Sequence, residues 1–137
     1  MIDYTFVGKF SLDDQDKITD WVHFVLDEEG KELGEVNYIF CDDDYLHDIN
    51  VKTLKHNTLT DIISFDYTIG IVVSGDIYIS YDRVRENAGN LSVEFKDEIH
   101  RVMVHGILHY CGYKDKEEED KRMMRSKEDY YLSLRTF

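Results

Sequence analysis

Two histidines four residues apart, His105 and His109, are the side chains in this chain best placed to do chemistry. On a helix with 3.6 residues per turn, that interval puts both imidazoles on one face, one turn apart. Gly112 follows three residues later, where an abruptly ending helix needs a residue free to take positive φ. Asp115 lies beyond that turn and can fold back toward the pair. Two imidazoles and a carboxylate are a sufficient ligand set for one divalent metal, zinc first among them, with a fourth position for water. Histidines at this spacing also arise by chance on surfaces and in cores; the glycine and the carboxylate at fixed offsets set this pair apart. The spacing His-x-x-x-His-x-x-Gly-x-x-Asp is that of metzincin-type zinc sites. Those proteases carry a glutamate general base directly after the first histidine. Here that residue is Gly106, which disfavours peptidase chemistry and leaves the metal geometry intact.

The elements that must position these ligands can be read from periodicity. Ile2 to Val7 is β-branched and aromatic and predicts a strand. Ser11 to Asp14 offers caps for a helix carrying Ile18, Trp21, Val22 and Val25 at helical spacing. Val36 to Cys41 predicts a second strand. Asp42, Asp43 and Asp44 suit the N-terminus of a helix through Tyr45, Ile49 and Leu54. Thr60 to Tyr67 and Gly75 to Ser80 predict two further strands. The spacing then predicts a helix over Tyr81 to Asn87, broken near Gly89-Asn90. A longer helix follows, capped by Ser92, with Phe95, Ile99, Val102, Met103, Ile107 and Leu108 on its apolar side. That helix carries the histidine pair. A last helix begins near Glu117. The order fits an α+β protein with helices packed on a mixed four-stranded sheet.

At 137 residues the chain has the size of one domain, 1–137, able to build its own core. Sixteen basic against twenty-nine acidic residues give a net charge of −13, so a polyanion must be met by a local basic patch rather than the overall field. Cys41 and Cys111 stand in no paired pattern and read as free thiols of a reducing compartment. Met1-Ile2-Asp3-Tyr4 is unlike a signal peptide, and no run reaches the length of a membrane span. The expected location is cytoplasmic, with no membrane partner.

His105-Gly106-x-Leu108-His109-x-x-Gly112-Tyr113 resembles the signature of the YbeY family of bacterial ribosomal RNA maturation factors. The likeness extends upstream to Asn50, to Thr60-Asp61-Ile62-Ile63-Ser64-Phe65 and to Gly75-Asp76-Ile77. Glu98, and the Met124 and Glu128 pattern, also fall where family members place similar residues. The resemblance implies a metal-dependent, single-strand-specific endoribonuclease acting in 3′-end maturation of 16S ribosomal RNA and in ribosome quality control. Its partners would be ribosomal RNA and the small subunit, with no DNA expected. It also implies His105 and His109 as metal ligands and Asp115 as the third, where the family usually has histidine; Lys114 replaces the preceding aspartate. An aspartate makes the site less positive by one charge. A family arginine upstream of the Thr-Asp strand falls on Leu54, with Lys52 and Lys55 beside it. Lysine does not reproduce a planar bidentate phosphate clamp. Two alternatives stay open: a ribosome-assembly binding factor with a structural or weakly bound metal, and a metallohydrolase of another substrate.

Arg83, Arg85, Lys96 and Arg101 are the best source of a basic strip near the metal if they share its face, but for any one of them ordinary ion pairing on a solvated face is the preferred reading. His47, His56 and His100 read as surface or packing residues. Asp61 and Asp76 are divided between turn and site roles. Cys111, two residues past His109, points away from the ligand face as a buried thiol. No general base is evident.

Overall fold

The computed structural model describes residues 1–54 and 59–137. Four strands, β1 (Ile2–Phe6), β2 (Glu32–Cys41), β3 (Ile62–Asp66) and β4 (Val72–Ser80), form one sheet in the order β1-β2-β4-β3. β1, β2 and β4 are parallel, and β3 runs antiparallel to β4. Among the described residues, five helices accompany them: α1 (Gln15–Glu28), α2 (Asp43–Ile49), α3 (Tyr81–Leu91), α4 (Phe95–Tyr110) and α5 (Glu118–Ser133). A π-helical turn, Asn50–Leu54, continues α2. This is the α+β architecture with a mixed four-stranded sheet that the periodicity predicts. Lys55 and His56 lie outside the described residues.

Alternation along the strands divides the core. Val36, Tyr38 and Phe40 of β2 and Val73, Ile77 and Ile79 of β4 are fully buried among residues of α1, α4 and α5. Their pairing in register, Tyr38 with Ile77 and Phe40 with Ile79, makes a continuous apolar face. On the opposite face, Leu46 of α2 packs with Cys41 of β2 and Ile63 of β3.

The sequence misplaces the boundary before α4. Gly89 and Asn90 stay helical, so α3 runs on to Leu91. The chain turns instead at Ser92, which takes the left-handed conformation at φ 56°. Val93 N–H then donates to the Ala88 carbonyl, closing the end of α3. Ser92 therefore ends one helix rather than capping the next; Glu94 holds the cap position of α4 without a side-chain capping bond.

α4 is fastened along its length. The Tyr38 hydroxyl donates to the Met103 carbonyl at 3.0 Å. The Tyr110 hydroxyl donates to the carbonyls of Phe65 and Asp76 at 2.9 and 3.1 Å. Its ring lies over Gly75, where an added Cβ would come within 2.5 Å of the ring and 2.4 Å of the Phe65 carbonyl. The histidine helix is thereby pinned to β3 and β4 one residue beyond His109. From the other side, the Trp21 indole donates to the Tyr131 carbonyl, joining α1 to α5.

Candidate metal centre

α4 presents His105 and His109 on its free edge, with ring centroids 4.7 Å apart and planes at 82°. Between them lies Gly106, buried against the sheet; a Cβ there would stand 3.0 Å from Ile77 Cδ1 and 3.3 Å from Ile62 Cδ1. The position after the first histidine thus faces the core. It has no room for a glutamate general base, which gives the missing protease residue a packing reason.

The end of α4 turns the chain back on itself. Gly112 takes φ 106°, its N–H donates to the His109 carbonyl, and Tyr113 N–H donates to the Leu108 carbonyl. This pair of bonds is a Schellman motif, and it needs the left-handed residue that glycine supplies. The reversed chain brings Asp115 Oδ2 to 3.2 Å from Nε2 of both histidines. One ligand atom from each of the three residues lies within 4.8 Å of the others. Tetrahedral ligands about 2.0–2.1 Å from a zinc ion stand roughly 3.3 Å from one another, so the two nitrogen–oxygen separations fit such an ion. The donor set could hold a divalent metal, and the three residues singled out by spacing are the three that converge.

Behind them stands an acid that spacing does not reveal. Glu128 of α5, 5% exposed, places Oε2 2.6 Å from His105 Nδ1. Its other oxygen accepts from Arg101 Nη1 at 2.9 Å, and Arg101 Nη2 donates to Asp129 at 2.6 Å. Burial works against a charged His105, but the bond to Glu128 and its charge outweigh that and raise the imidazole's affinity for a proton. Burial likewise pushes Glu128 up, and His105 and Arg101 more than reverse it, leaving the carboxyl below its usual range. A carboxylate on Nδ1 holds that nitrogen protonated and aims Nε2 at the convergence point, as the partners of metal-binding histidines do.

A cavity of about 390 Å³ opens beside His105 and Asp115. Thr60, Asp61, Glu98 and Arg101 line it, with Arg125 at one side. Burial raises the carboxyl pKa of Asp61, and it raises that of Glu98 too, with Asp61 and Glu128 as neighbouring charges. Asp61 thus belongs to the site, while Asp76 is structural: its side chain accepts from Asn37 Nδ2 at 2.9 Å.

The four cations form no basic strip, and the ion pairing preferred for each holds for Arg83, Arg85 and Arg101. Arg83 is committed to Asp43 and Glu86, and Arg85 stacks on Phe95 5.0 Å from the ring centre. Neither lines the cavity, and nor does Lys96; of the four, only Arg101 does. His100 is a buried packing residue, as the sequence implies. Cys111 is half-buried rather than buried, and burial pushes its thiol up to about 11. Leu54, at the position of the expected arginine, is exposed.

Comparison with known proteins places these features in a family. The sequence model described as Endoribonuclease YbeY matches residues 8–135. A Flavobacterium johnsoniae protein named Endoribonuclease YbeY is 55% identical over 134 residues, which is 98% of this chain and 96% of that protein. The protein of the same name from Flavobacterium psychrophilum is 53% identical over the same shares. The solution structure of TM1509 from Thermotoga maritima superposes with a TM-score of 0.70 at 26% identity, covering 97% of this chain and 87% of that one. The histidine helix, the glycine turn and the strands beside them are thus matched along nearly the whole chain, which belongs to the endoribonuclease YbeY family.

Proposed function

We propose that this protein is a metal-dependent endoribonuclease in which His105, His109 and Asp115 hold one divalent cation, zinc first. The convergence of two imidazole nitrogens on one carboxylate oxygen, at 3.2 Å each, carries this reading. The family resemblance extends it to single-stranded ribosomal RNA, to the 3′ end of 16S ribosomal RNA, and to work on the small subunit in the cytoplasm. Residues 1–137 would act as one hydrolase domain. Among the described residues, no helix is long and apolar enough to cross a membrane.

A cation bound there supplies Lewis acidity toward a phosphoryl oxygen and a water acidic enough to ionise near neutrality. The chain's own groups supply orientation and proton handling. Glu128 fixes the ring of His105, and Arg101 holds Glu128. Asp61 and Glu98 line the adjoining cavity and, among the described residues, stand in no ion pair. They are the carboxylates placed to take a proton from an attacking oxygen.

The test joins metal content to cleavage. Protein as isolated should carry about one divalent metal per chain, lost in His105→Ala/His109→Ala. Cleavage of single-stranded RNA should stop with a chelator and return with added metal. Binding without cleavage would favour an assembly factor instead, and cleavage that persists in His109→Ala would place the activity outside this centre.

A further inference from the structure

The cations of this acidic chain are unevenly employed. Arg83, Arg101 and Arg135 each have a carboxylate within 3.1 Å, and Arg85 reaches Asp82 at 3.9 Å. Two arginines remain, Arg122 and Arg125, both exposed on α5. Among the described residues, Arg122 and Lys121 make no ion pair, although Glu117 and Glu118 lie four residues before them. Arg125 has only a loose contact with Glu128 at 3.6 Å, beyond hydrogen-bonding distance.

These three side chains lie along one edge of the site. A second open cavity, of about 400 Å³, adjoins the first on the α5 side. His105, Asp115, Arg125 and Glu128 line both cavities, while Lys121 and Arg122 line the second. The arrangement works against the helix itself. Lys121 and Arg125 are like charges four residues apart, Arg122 and Arg125 three apart, and such pairs destabilise a helix. In a chain of charge −13, with acids close by, three cations left without close partners beside the metal centre form a local positive strip of the kind an acidic protein needs to meet a polyanion.

We propose that Lys121, Arg122 and Arg125 form a phosphate-binding rail on α5 that holds the backbone of single-stranded RNA across the metal centre. The rail rests on the nuclease reading above. Exposed cations that point at successive phosphates, with no base-reading group among them, contact the backbone independently of sequence. The rail therefore sets affinity and the path of the strand.

The experiment measures binding of a fluorescent oligouridylate to the metal-loaded protein from about 50 to about 200 mM potassium chloride, where each phosphate contact to a single strand adds about 0.7 to the log–log slope. Lys121→Gln/Arg122→Gln/Arg125→Gln should flatten the slope by about 2, and Arg125→Gln alone by about 0.7. Metal content should be unchanged, and the thermal midpoint should equal or slightly exceed the wild type's, since the like-charge pairs are removed. The charge-preserving Lys121→Arg/Arg122→Lys/Arg125→Lys should keep the slope, as should Lys9→Gln/Lys17→Gln/Lys96→Gln, whose lysines line neither cavity. An unflattened slope in the α5 triple variant, or an equal flattening in the remote one, overturns the rail. If the wild type still cleaves RNA in that case, the nuclease reading stands. A wild type that neither binds nor cleaves RNA removes both.

Discussion

Glu128→Gln tests how the metal centre is held. The native carboxylate takes His105 Nδ1 on one oxygen at 2.6 Å and Arg101 on the other at 2.9 Å, in a pocket that leaves it 5% exposed. Glutamine keeps the shape and one acceptor. Its amide nitrogen must then face a donor, either Arg101 or His105, in place of the bond it removes. Losing the carboxylate partner of a metal-binding histidine typically lowers metal affinity about 10- to 100-fold, or roughly 1.4–2.7 kcal/mol. Losing a buried charge-assisted bond should also cost about 1.5–3 kcal/mol of stability in the metal-free protein. Glu128→Ala leaves Arg101 with Asp129 only and His105 Nδ1 without its partner, and should cost about 3–5 kcal/mol.

Affinity is read by competition with a chromophoric chelator, and stability by urea unfolding of the metal-free protein across pH. The signs follow from the two shifts. His105 has its folded pKa raised, so its contribution is fully present below the unfolded value and fades as pH rises through the folded one. Glu128 has its folded pKa lowered, so its contribution is present above its unfolded value and is lost as pH falls through the folded one. The wild type's advantage over Glu128→Gln should therefore peak between about pH 4.5 and 6.5 and shrink on both sides. A folded Glu128→Gln that binds metal within about twofold of the wild type would refute the orienting role.

Three more outcomes follow from particular contacts. His100 is 2% exposed; burial and the Arg135 guanidinium, 2.6 Å from its Nδ1, lower its pKa to about 4. A group depressed in this way stabilises fully above its unfolded value. The unfolding free energy measured in urea should therefore fall as pH drops from about 6.5 toward 4, by up to about 3 kcal/mol, and His100→Gln should flatten that limb. Gly106→Glu, which restores the protease spacing, should destabilise by about 3 kcal/mol or more and yield no peptidase, because the side chain is driven into Ile77 and Ile62. Wild-type stability in that variant by urea unfolding would contradict the packing account. Asp115→Ala should lower metal affinity by more than about 100-fold while Asp115→His retains one metal per chain, both read by competition with a chelator; equal affinities in the two would remove Asp115 from the ligand set.

The convergence of the three candidate ligands was legible because they belong to one short stretch governed by local geometry. A helical interval fixes His105 against His109, and a glycine turn with φ 106° returns Asp115 to them. Glu128 and Arg125 reach the same place only because α5 packs on α4, a tertiary fact with no local spacing to betray it. Glu128 could be noted as part of a pattern after the motif, but its role could not be read. Arg83 and Arg101 show the converse: both are cations, and only the packing decides that one pairs with α2 and the other with α5. The misplaced boundary at Ser92 has a different cause. Gly89 is the residue that left-handed backbone favours, yet the packing of Val84 and Ala88 in α3 keeps the helix going past it. The turn falls instead on a serine, at a cost of about 1 kcal/mol that the surrounding structure must offset. Local rules thus located the candidate ligands, while the groups packed behind and beside them, Glu128 and Arg125, depend on which helices touch.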